Sequence, residues 1–343
     1  MNSLSYIPLY QRLFNYYKQR IVSQDLRAGQ KIDSINRMME RHQVSRETAK
    51  LVLKKLNNEG LIVTRAGKGS FVTQTTAPKK IWGIVLPFYS SNMEQLIYFL
   101  GKEAGKRGCH FEYFFGYNNP REEINLVGNM IREGYEAVII VPNYDETRTA
   151  EFYRRLIPGN TNVILVDNTM AGSYFRYVIQ SYDLGVKRAV EYLTLRNEKN
   201  LLLIKNDMWK GRNLLHELME QTFRNVLDEE FPGRNHFVAS DISEITQKTL
   251  NKYNIGGILC CYDTDAIKIT GRLKKWNLKI PDDISVVAYG NTELIELFTP
   301  SITAIDCKYN EIASITAGLI DKGKACSDNE QYVIQPELII RET

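Results

Sequence analysis

The stretch Val44-Ser45-Arg46-Glu47-Thr48-Ala49-Lys50 begins the segment that decides the fold of the amino-terminal part of this 343-residue chain. Ser45 can cap a helix that runs to Glu59, with Gly60 in the usual terminating position. The inward face of this helix would carry Ala49, Val52, Leu53 and Leu56, and its outward face Arg46, Glu47, Lys50 and Lys54. This division predicts a helix that enters the major groove of DNA with its first turn nearest to the bases.

Two helices are predicted before this one, and a hairpin after it. Apolar residues in the range 8–23 recur at three- and four-residue steps, and Ser34 can cap a short second helix. The β-rich runs 61–64 and 70–73 flank the turn Arg65-Ala66-Gly67-Lys68-Gly69, which is typical of a hairpin with a basic tip. The pattern predicts a winged helix-turn-helix domain.

The charge of the chain is concentrated at one end. Residues 1–80 hold 15 Lys and Arg against 5 Asp and Glu, a balance of +10, whereas the other 263 residues hold 29 against 35, a balance of −6. A basic module on an acidic body is expected when one domain meets a phosphate backbone. A solvated arm or a membrane-surface patch would also be basic, so charge alone leaves these alternatives open.

The cysteines and the hydropathy pattern indicate a reduced compartment. Five cysteines without a C-x-x-C pair argue against a disulfide framework and a structural zinc site. Cys260 and Cys261 could form a redox pair, but in their apolar run they are better explained as buried strand residues. No stretch approaches eighteen uninterrupted apolar residues and the amino terminus lacks a signal-peptide pattern, so we expect a cytoplasmic protein.

A polar linker and an α/β domain are predicted to follow the winged module. The first domain would span residues 1–74, the linker 75–80 and the larger domain 81–343. In the larger domain, strongly apolar runs alternate with helical stretches, which indicates parallel sheets covered on both faces. The predicted strands are 81–86, 110–115, 137–141, 163–166, 200–204, 257–261 and 284–288.

Ligands of such sheets bind beyond the carboxyl ends of the strands, so the residues after each run are candidates for a binding site. Carboxylates and amides could bind vicinal hydroxyls of a sugar, while aromatic rings pack on its C–H face. Each candidate also has a structural alternative. Asp263 could serve merely as a helix cap, Asp167 could end a strand in a turn, and Phe88 could pack in a core. The candidates chosen in this way are Phe88, Tyr89, Ser90, Asn143, Asp167, Asp207, Asp263 and Asn291.

The amino-terminal module resembles the DNA-binding domain of the GntR family of bacterial regulators. The matching segments within residues 8–73 are 44–50, Leu56-Asn57-Asn58-Glu59-Gly60-Leu61-Ile62 and Gly67-Lys68-Gly69-Ser70-Phe71-Val72. Asp33 and Asn36 depart from the proline and arginine that the family often has. The resemblance implies double-stranded operator DNA as a partner, with contacts to phosphates and base edges. Our candidates for this interface are Ser34, Arg37, Ser45, Arg46, Thr48, Lys50, Lys54, Arg65, Gly67, Lys68 and Gly69.

From Ile81 onward the chain is similar to the effector domain of the LacI family, which shares a two-lobed fold with periplasmic sugar-binding proteins. The matching segments include Gly83-Ile84-Val85-Leu86-Pro87, Asp183-Leu184-Gly185, Ile258-Leu259-Cys260-Cys261-Tyr262-Asp263 and Ile280-Pro281-Asp282-Asp283-Ile284-Ser285-Val286-Val287. The resemblance implies that Asp263 binds the effector, and that Asp183 lies either on the ligand or at the crossover between lobes. After Val287 the family usually has Gly-Phe-Asp, whereas this chain has Ala288-Tyr289-Gly290-Asn291 and lacks a carboxylate there. Met219 stands where the family often has an arginine, so part of the ligand's anchoring must differ.

A GntR-type DNA-binding domain joined to a LacI-type effector domain is the arrangement of the arabinose-utilisation repressors and their relatives. The resemblance therefore implies a homodimeric repressor of carbohydrate-utilisation genes, controlled by a small sugar such as arabinose or fucose. We expect no enzymatic activity, no cofactor, no metal and no membrane partner. The alternatives are a carboxy-terminal domain that is enzymatic or that senses a molecule other than a sugar, and a sugar-transport component.

Overall fold

The computed structural model describes residues 9–22, 25–58, 61–65, 67–73, 79–143, 149–156, 159–170, 175–196, 199–206, 213–323 and 330–343. Backbone contacts divide the chain into two compact units, Met1–Lys79 and Lys80–Thr343. Within the described ranges, no helix combines the length and apolar character that a membrane crossing needs.

The first unit contains three helices and a hairpin. They are α1 (Leu9–Val22), α2 (Ile35–His42), α3 (Arg46–Asn58), β1 (Ile62–Arg65) and β2 (Gly69–Val72). The predicted caps are confirmed, because Ser34 Oγ accepts a hydrogen bond from the Arg37 amide and Ser45 Oγ accepts one from the Thr48 amide. Glu59, Gly60 and Ala66 lie outside the described residues.

The hairpin is antiparallel and is extended by the segment before α2. Ile62 lies opposite Val72, and both are buried with the apolar faces of the three helices. The Ile32 amide donates to the Ser70 carbonyl at 2.9 Å, and the Val72 amide donates to the Gln30 carbonyl at 2.8 Å. These bonds attach the wing to the helical core, which confirms the predicted winged helix-turn-helix.

The second unit is an α/β structure with twelve strands among its described residues. They are β3 (Lys79–Leu86), β4 (His110–Phe115), β5 (Tyr135–Ile140), β6 (Asn162–Asp167), β7 (Arg176–Gln180), β8 (Asn200–Ile204), β9 (His236–Ala239), β10 (Ile255–Cys260), β11 (Ser285–Tyr289), β12 (Thr303–Asp306), β13 (Gln331–Ile334) and β14 (Glu337–Ile339). Because β3 begins at Lys79, the last two residues of the predicted linker 75–80 belong to a strand.

Helices separate most of these strands and cover the sheets. They are α4 (Ser91–Lys106), α5 (Pro120–Glu133), α6 (Ala150–Arg155), α7 (Tyr182–Arg196), α8 (Leu214–Glu230), α9 (Gln247–Lys252), α10 (Asp263–Lys275), α11 (Glu293–Leu297) and α12 (Tyr309–Asp321). The predicted alternation of strands and helices is confirmed.

The strands form two sheets, one in each lobe. The first lobe has the order β13-β7-β6-β5-β3-β4, and the second has β14-β12-β11-β10-β8-β9. The pair β12–β14 is antiparallel. The parallel pairs are β3–β4, β5–β6, β6–β7, β7–β13, β8–β9, β8–β10, β10–β11 and β11–β12. Parallel sheets with both faces covered explain why the central strands are almost wholly buried.

The chain passes between the lobes three times. It leaves the first lobe between β7 and α7, returns between β12 and α12, and leaves again between β13 and β14. The helix α12 packs on α4, β6 and β7 of the first lobe, whereas α7 packs on α8 and the second sheet. The carboxyl ends of β3, β7, β10 and β11 therefore lead to the space between the lobes, which we call the interlobe cleft.

Candidate functional site

A basic groove lies between α3 and the hairpin of the first unit. Arg46, Lys50 and Lys54 follow one another at four-residue steps, so they share one face of α3, and all three are exposed. We call the surface formed by the lining residues of this groove the DNA-binding face, after the DNA contacts that the sequence predicts for Arg46, Lys50 and Lys54. The lining residues are Lys31, Ile32, Asp33, Ser34, Ile35, Asn36, Arg46, Lys50, Leu53, Lys54, Asn57, Thr64, Gly69 and Ser70.

Of the other predicted DNA-binding residues, Ser34 and Gly69 line this face, whereas the lining does not include Arg37, Ser45, Thr48, Arg65, Gly67 or Lys68. Ser34 and Ser45 cap helices, and the exposed Arg37 is 3.9 Å from the Asp33 carboxylate. The Arg65 guanidinium lies over the Phe71 ring, 5.3 Å from its centroid. Thr48 is bonded to Ser45, while Gly67 and Lys68 lie exposed at the tip of the hairpin.

Sequence reasoning missed Lys31, which the wing holds beside the groove. A Cβ atom at Gly69 would lie 2.6 Å from Lys31 Cε, and Gly69 has a φ of +104° that other residues rarely adopt. The lysine stem therefore packs over the glycine and presents its ammonium to the groove. No local motif marks Lys31, because its position depends on the bonds between its segment and β2.

Asp33, which replaces the proline often found in the family, has a structural role. Its Oδ2 accepts hydrogen bonds from Tyr17 Oη and from Arg41 Nη1, each at 2.7 Å. Burial and the bond to Asp33 raise the pKa of Tyr17 well above its ordinary value. Asp33 thus joins α1 to α2 and fixes the entry to the second helix.

The interlobe cleft of the second unit is lined mainly by aromatic and neutral polar side chains. Its cavity is only about 20 Å³, room for roughly one water molecule, so the two lobes are closed on each other. The lining residues are Phe88, Ser90, Asn92, Met93, Gln180, Tyr182, Leu215, His216, Met219, Cys261, Tyr262, Tyr289, Cys307 and Tyr309.

Of the predicted effector-binding residues, Phe88 and Ser90 line this cavity. Tyr89 is 61% exposed and donates to Glu94, and Asp183 is exposed at the start of α7, where it accepts a hydrogen bond from Ser181. The Asn291 side chain accepts a hydrogen bond from Arg341. Asp207 lies outside the described residues.

Asp263 is fully buried at the start of α10, and its carboxylate is already hydrogen-bonded by the protein. Its Oδ1 accepts from Ser91 Oγ of the first lobe at 2.5 Å and from the Thr264 amide at 2.6 Å. Its Oδ2 accepts from Thr292 Oγ1 of the second lobe. Two protein hydroxyls therefore occupy the carboxylate for which we predicted sugar hydroxyls.

Asp167 is also fully buried, and it joins the crossover segments. Its Oδ1 accepts from Gln180 Nε2 at 2.7 Å and its Oδ2 from Tyr182 Oη at 2.8 Å. Tyr289 of the second lobe stacks on Tyr182 and donates to Gln180 Oε1 at 3.2 Å. Burial raises the pKa of Asp167 despite these donors. Asp167 thus links both lobes at the hinge.

The sequence did not single out the tyrosines, His216, Gln180 or Asn92 of the cleft. Tyr262 and Tyr289 lie at the ends of strands, so their positions in the sequence could have marked them as cleft residues. In the structure, Tyr262 Oη lies 3.1 Å from His216 Nε2. Gln180 and Tyr309 flank crossover segments, so their place in the cleft depends on the strand order of two separate sheets.

Asn143 is buried beside a carboxyl group that sequence reasoning also missed. The Asn143 amide donates to Glu123 Oε2 at 2.8 Å, and Tyr153 Oη donates to Glu123 Oε1 at 2.6 Å. Burial raises the pKa of Glu123 from 4.5 to about 7, although both bonds lower it. Glu123 therefore holds the end of the segment that follows β5.

This shift predicts a pH-dependent stability of the second unit. Because the pKa of Glu123 is raised on folding, its stabilising effect is complete below pH 4.5 and is lost as the pH rises to about 7. We expect Glu123→Gln to remove a decline of about 3 kcal/mol in unfolding free energy over this range. Denaturant titrations of both proteins at several pH values measure the difference, and parallel profiles would show that Glu123 ionises normally.

The bonds to Asp263 predict different effects for two substitutions. Ser91→Ala removes a donor from the opposite lobe, whereas Thr292→Val removes a donor from the same lobe as Asp263. Each should lower the unfolding free energy of the second unit by about 1–3 kcal/mol. Only Ser91→Ala should also speed thiol labelling of the cleft residues Cys261 and Cys307, by about 10-fold. Mass spectrometry of labelled peptides measures both rates, and equal rates in the two variants would contradict a tie between lobes.

Family comparisons agree with this architecture. Residues 9–72 match the family described as bacterial regulatory proteins, gntR family, and residues 203–343 match the family described as periplasmic binding protein-like domain. The chain is a GntR-type regulator with a periplasmic-binding-protein-like domain. It is a DNA-binding transcriptional regulator.

Two curated relatives of this regulator illustrate the match. The arabinose metabolism transcriptional repressor of Halalkalibacterium halodurans is 22% identical, over 96% of the regulator and 95% of the relative. The HTH-type transcriptional repressor PurR of Vibrio atlanticus is 31% identical, over 66% of the regulator and 69% of the relative.

Solved structures show the same two-lobed fold. A lac repressor dimer bound to operator and the anti-inducer ONPF has a TM-score of 0.67 at 16% identity, over 78% of the regulator and 95% of that chain. A periplasmic binding protein/LacI transcriptional regulator from Alkaliphilus metalliredigens, complexed with D-xylulofuranose, has a TM-score of 0.62 at 17% identity, over 77% and 99%. At these identities the likeness shows the fold alone.

Proposed function

We propose that the regulator represses carbohydrate-utilisation genes in the bacterial cytoplasm, and that a small neutral sugar bound in the interlobe cleft controls its operator binding. The observation that carries this proposal is the cleft itself, where aromatic rings alternate with neutral hydrogen-bonding groups. The similar proteins support it, because they include an arabinose metabolism transcriptional repressor and a LacI-type regulator complexed with D-xylulofuranose. Arabinose and fucose are the first candidates.

The chemistry of the cleft favours a neutral ligand. Phe88 and the four tyrosines offer flat faces for the C–H side of a sugar, while Ser90, Gln180 and His216 can exchange hydrogen bonds with hydroxyls. Among the described residues that line the cavity there is no lysine, arginine, aspartate or glutamate. A phosphorylated sugar or a sugar acid would therefore find no charged partner among these side chains.

Ligand entry requires the lobes to separate. Small-molecule sites are typically about 300–1,000 Å³, far larger than the cavity of about 20 Å³ in the closed cleft. A sugar that enters and is enclosed would change the hydrogen bonds that join the lobes. This gives the ligand a differential interaction with open and closed states, which any effector needs in order to shift their populations.

A thermal-stability screen tests the sugar assignment. Arabinose, fucose, ribose and xylose are added separately, and a sugar present at 100 times its dissociation constant should stabilise the second unit by about 2.7 kcal/mol. Glucose 6-phosphate serves as the charged control and should have no effect. Stabilisation by the phosphate alone would contradict the proposal of a neutral ligand.

We also propose that the regulator is a homodimer that pairs through α4. Glu94, Tyr98 and Lys102 are exposed and follow one another at four-residue steps, so they form one stripe of the helix. If two such stripes pack antiparallel about a two-fold axis at Tyr98, each Glu94 lies opposite Lys102 of the partner subunit. A stripe with an acidic end, an aromatic centre and a basic end is thus complementary to itself.

A charge exchange tests this pairing. We expect Glu94→Lys to raise the dimer dissociation constant at least about 10-fold at low salt, because the substitution places like charges together twice across the axis. Adding Lys102→Glu to the same chain should restore the dimer. Glu122→Lys, an equal charge change at an exposed position of α5, is the control. Sedimentation equilibrium measures all four proteins, and a double variant that stays as monomeric as Glu94→Lys would contradict the model of pairing.

A further inference from the structure

One acidic side chain borders the DNA-binding face. The sequence of α3 contains a single acidic residue, Glu47, against four basic residues. Glu47 lies in the first turn of the helix, and its side chain is 80% exposed. It does not line the groove itself, but its Oε1 accepts a hydrogen bond at 2.9 Å from Nζ of Lys50, which does. A carboxylate at this place calls for an explanation, because the phosphates of DNA repel it.

The carboxylate of Glu47 stays ionised at neutral pH. The hydrogen bond from Lys50 and the charge of its ammonium lower the pKa of Glu47 below its ordinary value, and Arg46 acts in the same direction. An ionised carboxylate can accept hydrogen bonds but cannot donate one. On a DNA duplex, Glu47 can therefore bind the amino group of a base, whereas it cannot bind a phosphate.

The ion pair between Glu47 and Lys50 presents an acceptor and a donor side by side. It uses one carboxylate oxygen of Glu47 and one of the three ammonium hydrogens of Lys50, so each group can bind a further partner. In the major groove, a G·C pair places the guanine acceptors O6 and N7 beside the cytosine donor N4. The ion pair is therefore complementary to the major-groove edge of one G·C pair.

Of the two bases that offer an amino group in the major groove, cytosine suits Glu47 better than adenine does. Adenine N6 lies between two acceptors, its own N7 and O4 of the paired thymine, and both repel a carboxylate. Cytosine N4 has an acceptor on one side only, and this acceptor is guanine O6, which the ammonium of Lys50 can bind. The charge of Glu47 and its pairing with Lys50 thus select cytosine.

We propose that Glu47 determines operator specificity by accepting a hydrogen bond from the N4 amino group of a cytosine, while Lys50 binds the guanine paired with it. This proposal concerns the DNA contact and does not depend on the proposed sugar effector. Because the carboxylate of Glu47 repels phosphates on every duplex, it weakens binding wherever no cytosine offers a compensating hydrogen bond. Glu47 thus widens the difference in affinity between the operator and random DNA.

The test measures base preference at every position of the operator. A duplex selected by the full-length regulator from random sequences is the probe, and each of its base pairs is changed in turn to the other three. Fluorescence anisotropy at fixed salt measures the affinities of the wild type, Glu47→Ala and Glu47→Gln. We expect the wild type to prefer cytosine at one position by about 10- to 100-fold, and Glu47→Ala to lose this preference. Glu47→Gln should prefer adenine there, because glutamine offers adenine both a donor and an acceptor.

Glu40→Ala is the matched control, because Glu40 is exposed on α2 and does not line the DNA-binding face. Both alanine variants remove one negative charge, so each should bind a random duplex about 2- to 10-fold more tightly than the wild type does. Only Glu47→Ala should change the base preference. If Glu47→Ala and Glu40→Ala both keep the base preferences of the wild type, Glu47 serves only the helix and the proposal is overturned. A selection that yields no preferred base pair would overturn it as well.

Discussion

Replacing Arg46 and Lys50 together by alanine is expected to weaken operator binding by about 100-fold or more. Both side chains are exposed on the first two turns of α3 and line the groove between that helix and the wing. A bidentate contact to a base contributes about 1–3 kcal/mol of discrimination, so two lost contacts together reach this range. Lys50 also pairs with Glu47 at 2.9 Å. This surface ion pair is weak, so its loss should change the expected decrease in operator affinity very little.

Arg12→Ala with Arg27→Ala is the matched control, since both residues are exposed and neither lines the DNA-binding face. The control removes the same charge and should weaken binding less than 10-fold by long-range electrostatics. Fluorescence anisotropy with a labelled operator duplex at fixed salt measures all three proteins. Equal losses in the two double variants would mean that net charge alone, and not the face of α3, determines affinity.

Replacing Gly290 by alanine is expected to lower the unfolding free energy of the second unit by about 3 kcal/mol or more. The added Cβ would overlap Asn92, and the φ of +114° is unfavourable for any side chain. Each of these two effects costs about 1–3 kcal/mol. The overlap should also push the first turn of α4 away from the second lobe, so that the lobes open.

Gly271→Ala provides the control for this substitution. Gly271 lies inside α10, and a Cβ there meets no atom within 4 Å, so we expect a gain of about 0.5–1 kcal/mol from better helix propensity. Chemical denaturation and small-angle scattering measure stability and lobe opening in both variants. A Gly290→Ala protein with wild-type stability and an unchanged radius of gyration would show that the close packing on Asn92 is unimportant.

The winged domain could be predicted almost residue by residue because its signals are local. The caps at Ser34 and Ser45, the period of α3 and the turn of the hairpin each depend on a few neighbouring residues. The bonds between the segment that contains Lys31 and β2 are not local, so the sequence did not show that this lysine joins the groove.

The sheets of the second unit were predicted where their strands are fully buried. Strands β5, β6, β10 and β11 read as apolar runs because helices cover both faces. Strands β7, β9, β12, β13 and β14 were not predicted. Most of them are short, and edge strands such as β13 are half exposed and carry polar residues, so they lack the apolar signal.

The cleft could be located from the sequence, but the roles of its carboxylates could not be established. Asp167 and Asp263 do follow strands, yet their hydrogen bonds come from Gln180, Tyr182, Ser91 and Thr292. Ser91 is 172 residues away from Asp263 in the chain, and only the crossover pattern brings the two together. The same pattern brings Asn92 of the first lobe against Tyr289 and Gly290 of the second lobe, a contact that only the folded chain shows.

The most direct test of the account measures the coupling between the cleft and the DNA-binding face. A duplex selected by the full-length regulator from random sequences is titrated with the regulator, with and without a saturating concentration of the sugar that stabilises it. The account predicts a change in DNA affinity of about 5- to 150-fold, and an equal change in sugar affinity when the duplex is bound. Identical DNA affinities with and without the sugar would contradict it.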